Sequence, residues 1–146
     1  RKLRLDAILS GDDARLEIVG AFSGKADEVQ DIVLAVVQDA ARTHCDIRVR
    51  CVLDELSSSV FDGLIRMTEK AVDGRARLSY RGMLLSKHAR AMPTPRLEVF
   101  TKRVAAATHE AAVGTIDPQQ LFYLQSRGIS EKEAKMLIAK GFLNGC

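Results

Sequence analysis

Tryptophan is absent from this chain, and Phe and Tyr bring the aromatic share to only 5%. That leaves few rings on which nucleobases could stack, so a nucleic-acid partner is not expected. Charge agrees, because a net +3 carried by scattered basic residues offers no block that would grip a polyanion. No apolar run approaches the roughly 20 residues of a membrane span. The start, RKLRLDAILSGDD, mixes charge with hydrophobes where a secretory signal needs a continuous apolar stretch. Neither a membrane partner nor export is expected. An initiator Met is also missing, which makes a processed chain or a piece of a longer protein the expectation. Neither GxxxxGKS nor GxxxxGKT occurs, so any linked ATP hydrolysis must come from a partner.

Cysteine is sparse as well: Cys45, Cys51 and Cys146, with no CxxC. Structural zinc is therefore not expected. An odd number without a secretory signal points to a reducing compartment, cytoplasmic or an organelle matrix or stroma. Cys45 and Cys51 are six apart. On a straight strand they share a face about 20 Å apart, too far to hold one metal ion unless the chain bends. Core packing and a ligand role both stay open for them.

The 146 residues suit one domain with a sizeable core. Most of the chain reads as short strand-like runs: LRLDAIL (3–9), RLEIVGAF (15–22), CDIRVRCVL (45–53), VFDGLIRM (60–67), ARLSYRGMLLS (76–86) and RLEVFTKRVA (96–105). Turn residues such as SGDDA and SGKAD separate them. Many short strands with little room for crossover helices predict an all-β architecture, and a stack of rungs burying a continuous core suits the loose repeat. The stretch 27–44 resists. Val29, Ile32, Val33, Val36 and Val37 fall at helical spacing, yet their β-branching suits strands.

The tail is plainer. Asp117-Pro118 starts a helix and Gly128 stops it; Ser130 with Glu133 then forms a capping box for a second helix. A helical hairpin is expected over 117–146, after a β core over 1–116.

At this point a resemblance enters. HEAAVGTID followed by LFYLQSRGIS and EKEAKMLIAKGFL resembles the C-terminal signature of the SufB/SufD family, the scaffold subunits of Suf iron–sulfur cluster assembly. MLLSKHARAMPTPRLEVF (83–100) and CVLDELSSSVFDGLIRM (51–67) are similar to family rungs further upstream. The likeness is strongest from Thr108 onward and weak before Cys51. It implies a mainly β fold, a right-handed parallel β-helix followed by the C-terminal helical hairpin, with 27–44 recast as rungs. It further implies a non-enzymatic scaffold that carries a transient iron–sulfur cluster. That scaffold pairs through its β-helix as a homodimer or a SufB/SufD-type heterodimer, and docks a SufC-type ATPase through its helices.

The resemblance places functional weight on His109 and Glu110. Imidazole and carboxylate suit iron, but neighbouring strand residues face opposite ways, so only one of the two can point inward. Phe122, Tyr123, Leu124, Ile129, Leu137, Ile138 and Phe142 form an apolar set large for two short helices. Part is expected to cap the open end of the β-helix and the rest to meet the ATPase. One departure stands out. The cluster-building family member carries a Cys before the apolar triplet, where this chain has Tyr80, and Ala107 takes a second thiol position before the His. A phenol cannot accept persulfide sulfur as a thiolate does. Cys45 and Cys51 are thus the substitute cluster ligands to consider, and the alternative is a SufD-like structural subunit that binds no cluster. A polysaccharide-active β-helix enzyme is disfavoured by the scarcity of aromatic platforms for sugars.

Overall fold

Alternation decides the first 115 residues. In the computed structural model, which describes residues 1–145, eight strands precede two helices. The strands are β1 (Lys2–Leu9), β2 (Arg15–Gly24), β3 (Val29–Gln38), β4 (His44–Leu53), β5 (Ser58–Met67), β6 (Gly74–Leu84), β7 (Arg90–Val99) and β8 (Val104–Thr115). Odd strands stack in one sheet, in the order β1-β3-β5-β7, and even strands in the other, in the order β2-β4-β6-β8. Every pairing is parallel. The chain therefore lays one strand in each sheet and advances by a rung, making a β-solenoid of about four turns. A residue meets its counterpart about 29 to 32 positions later, as in Lys2 with Asp31 and Ser58 with Arg90.

The disputed stretch is strand. In β3, Gln30, Ile32, Leu34, Val36 and Gln38 are buried while the residues between them are half-buried. Burial with period two is the mark of a strand between two rungs. Helical spacing was satisfied by accident, because Val33 and Val37 add apolar residues on the other face.

Inside, Phe61, Ile65, Met67, Ile47, Leu78 and Tyr80 are fully buried, each contributing about 1.5–3 kcal/mol of burial. Phe61 and Tyr80 stack at 4.9 Å between centroids. Gly63 makes room for them, since a Cβ there would stand 2.7 Å from the Phe61 ring carbons. The corners use left-handed backbone without glycine, at Asp13, Arg42 and Asp73 on one edge and Ala26 and Glu55 on the other. Their strain is offset by bonds between rungs. The amides of Asp13, Arg42 and Asp73 donate to the carbonyls of Ala41, Val72 and Arg103. Arg42 forks onto Asp13, and Arg103 onto Asp73.

The last rung has two unlike edges. In β7 the amide of Arg90 donates to Ser57 and that of Phe100 to Met67. Parity then sends the amide positions of residues 91 to 99 with odd numbers toward the free edge. Two of these are Pro93 and Pro95, which have no N–H to offer. Sheet A, the odd-strand sheet, is blunted there against strand addition. In sheet B, β8 keeps its free-edge amides at Ala107, His109, Ala111 and Val113, with no proline among them.

The tail follows its caps. Helix α1 (Pro118–Ser126) has Asp117 accepting from the Gln119 amide, Gly128 lies at φ +86°, and α2 (Glu131–Asn144) carries the complete capping box of Ser130 and Glu133. Its placement corrects one expectation. The helices do not cap the open end: α2 lies against the outer face of sheet B, over β2 and β4. The last-rung residues of β8 stay exposed, apart from a half-buried Ala107. Arg50 accounts for this seat. Its guanidinium donates to the Phe142 carbonyl at 2.6 Å and lies 5.3 Å from the Phe142 ring. No helix among the described residues is long and apolar enough to cross a membrane.

Candidate functional site

His109 and Glu110 stand on β8, the final strand of sheet B, and the register assigns their faces. His109 sits over buried Leu78 and points to the solenoid interior, which is open at this last rung. Glu110 sits over Ser79 on the outer face. The parity expected of a strand holds, so the two side chains cannot share one ion within a single chain. His109 is exposed and makes no hydrogen bond or ion pair among the described residues. One Glu110 carboxylate oxygen accepts from the Ser79 hydroxyl at 2.8 Å and from Arg81 at 3.5 Å. The Ser79 bond, with the Arg81 charge behind it, holds this carboxyl below the usual range despite some desolvation. Glu110 is thus ionised at neutral pH, a hard oxygen donor on an open face.

Cys45 and Cys51 behave otherwise. Both lie on β4, a single unbroken strand, and both point inward at 1% and 0% exposure. Six residues of strand keep them about 20 Å apart, so they do not converge. Burial, helped by the nearby Asp46 charge, pushes the Cys45 thiol up to about 12. Burial pushes Cys51 up to about 11, against a lowering bond from Tyr80. The Cys51 sulfur lies 2.9 Å from the Tyr80 hydroxyl, which donates in turn to Ser59 at 3.3 Å. Tyr80, in the position where the resemblance expects a thiol, is therefore a core residue whose phenol burial also raises. Cys146 lies outside the described residues. Among the described residues no group of three or more His, Cys, Asp and Glu is arranged to hold a metal ion.

A chemical test follows. At pH 8 a thiol shifted from 9.0 to about 11 has about a hundredfold less thiolate. In a Cys146→Ser chain, iodoacetamide should leave Cys45 and Cys51 unmodified while the chain is native, and label both in urea, as read by mass spectrometry. Rapid labelling of either in the native chain would contradict their burial.

The seven apolar tail residues divide by exposure. Phe122, Tyr123 and Leu137 are 71%, 57% and 52% exposed, whereas Leu124, Ile129, Ile138 and Phe142 are half-buried. Tyr123, Leu124, Ile138 and Phe142 join Met83 in lining an apolar concavity of about 560 Å³ between the helices and sheet B. Ile129 and Leu137 line a second, of about 400 Å³. Sequence reasoning missed Ser79, Arg81 and Arg50. Outward parity in β4 and β6 was the available signal for all three.

A parallel β-solenoid of about four turns followed by two helices defines the structural class of this protein. The sequence profile described as "SUF system FeS cluster assembly, SufBD core domain" matches residues 2–142. The chain belongs to the SufBD family. It is 31% identical over 139 residues, 94% of its length, to an iron–sulfur cluster assembly SufBD family protein of Staphylococcus saprophyticus subsp. saprophyticus. A namesake from Staphylococcus aureus strain USA300 is 30% identical over the same span. The chain covers about 30% of the length of these relatives.

Proposed function

We propose that this chain is the core of a scaffold subunit in iron–sulfur cluster assembly. It pairs through β8 with a second β-solenoid, either another copy or a SufB/SufD-type partner. It docks a SufC-type ATPase on the exposed tail residues Phe122, Tyr123 and Leu137. It performs no catalysis of its own, and the cluster is cargo passing through the paired surface. The single observation that carries this reading is the last rung. Imidazole and carboxylate are both presented there, on a strand whose edge amides are free. Each chain offers one ligand per face, so a full ligand set needs a second subunit.

The second reading, a SufD-like structural subunit holding no cluster, is favoured by one fact: both described thiols are sealed in the core. Anaerobic addition of ferrous iron and sulfide to the paired protein separates the two. Absorbance near about 400 nm should appear, survive Cys45→Ser and Cys51→Ser, and fall with His109→Ala and Glu110→Ala. Absorbance lost with the thiols would return the cysteines to the ligand set. No absorbance on any pairing would leave the structural subunit.

A further inference from the structure

The basic residues look scattered along the chain, but the rungs gather them. On the outward face of sheet B stand Arg15, Arg48, Arg50, Arg75, Arg77 and Arg81, against the carboxylates Glu17, Asp46 and Glu110. Their balance is +3, equal to the net charge of the whole chain. On this face Arg48, Arg50, Arg77 and Arg81 line a concavity of about 280 Å³ together with Ser79 and Gly145.

Three of these arginines already show what the place does to anions and dipoles. Arg48 pairs with Glu17 and approaches Asp46 at 3.6 Å, yet its buried Nε–H finds no acceptor. Arg50 is spent on the Phe142 carbonyl. Arg81 and the Ser79 hydroxyl converge on a single carboxylate oxygen of Glu110, which is a working oxyanion contact within the chain itself. Arg77 is the exception. It makes no hydrogen bond or ion pair among the described residues, although its charge is felt at Glu110. Its register neighbours are Asp46 behind and Thr108 ahead, while Ser79 follows it on the same face of β6.

We propose that this concavity binds a small phosphate-class oxyanion carrying two or more charges, with Arg77 as the principal ligand and the Arg81 N–H groups not used on Glu110 beside it. Guanidinium forks match the paired oxygens of phosphate. Charge decides the valence: with Arg77 unpaired in the concavity and a surplus of +3 among the named charges of the face, a multivalent anion gains more than a single carboxylate. The volume is large enough for a phosphate or diphosphate. This inference stands apart from cluster handling and from pairing, although Glu110 borders the site.

Inorganic pyrophosphate is the probe, titrated calorimetrically into the unpaired chain at low and moderate salt. Expected is saturable one-site binding, weakened about tenfold or more by Arg77→Ala. Arg77→Lys should retain more affinity than Ala, since it keeps the charge and loses the fork. Arg96→Ala, which removes the ion pair with Asp62 on sheet A, should change nothing. Arg77 is exposed, so its variants should melt with the unmodified chain. Absence of saturable binding would overturn the proposal, as would equal affinity in Arg77→Ala. Citrate binding as tightly as pyrophosphate would overturn the phosphate class. None of these readings involves iron or a partner, so failure here leaves the proposed function untouched.

Discussion

Phe61→Ala should cost about 3–5 kcal/mol of unfolding free energy, out of the roughly 5–15 kcal/mol that typically holds a domain together. The ring is fully buried, sits between Ile32 of the rung below and Pro93 of the rung above, and stacks on Tyr80 at an interplanar angle of 30°. Removing it takes away more than transfer energy. Gly63 and Pro95 flank the site on their rungs and have no side chain able to swing into the void, so the cavity cannot collapse. Tyr80 then loses the partner that holds its hydroxyl between Cys51 and Ser59. Val60 supplies the control. It neighbours Phe61 in sequence but faces outward at 38% exposure, so Val60→Ala should cost less than about 1 kcal/mol. Urea titration followed by circular dichroism measures both. Equal losses from the two variants would mean that the inward face is not the packed one.

That pair of neighbours also marks how far the sequence could be read. Parity along a strand was legible: it put Cys45 and Cys51 on one face and His109 and Glu110 on opposite faces, and the structure agrees on both. Helix ends were legible because capping is local, as with Asp117 and Ser130. Features that depend on stacking between rungs were not. Segment 27–44 carries apolar residues on both strand faces, so helical and strand periods fit it equally until its neighbours β1 and β5 are known. The corner residues with left-handed backbone are Asp, Ala, Arg and Glu, which bear no glycine signal. Arg50 and Phe142 are 92 residues apart. No local pattern announces that an arginine on the fourth strand will seat the last helix on the flank and leave the end of the solenoid bare. The arginine face was hidden likewise, because its members come from β2, β4 and β6, separated by about 30 residues each time.

Bareness at the last rung makes the second large effect a matter of odd and even. Residues of β8 with even numbers, from Ala106 to Gly114, direct their amides to β6; odd ones direct theirs to open solvent. Ala111→Pro removes an N–H that the chain itself does not use, and edge strands tolerate proline there. Its fold should survive, with a thermal midpoint within a few degrees of the unmodified chain. Pairing should not. A strand added to β8 loses one hydrogen bond and leaves its own carbonyl without a donor, at about 1–3 kcal/mol for the orphaned group. In a two-fold homodimer the loss counts twice. The dissociation constant should therefore rise by about 100-fold or more, read by sedimentation over a concentration series. Ala112→Pro, one residue on, removes an N–H of the internal ladder to β6 instead and should destabilise the fold itself by about 1–3 kcal/mol. Opposite outcomes from adjacent alanines would be the signature of strand addition at β8. Undiminished pairing by the Ala111→Pro chain would remove β8 as the joining edge, and because Pro93 and Pro95 already interrupt the edge of β7, pairing would then have to use the faces of the sheets.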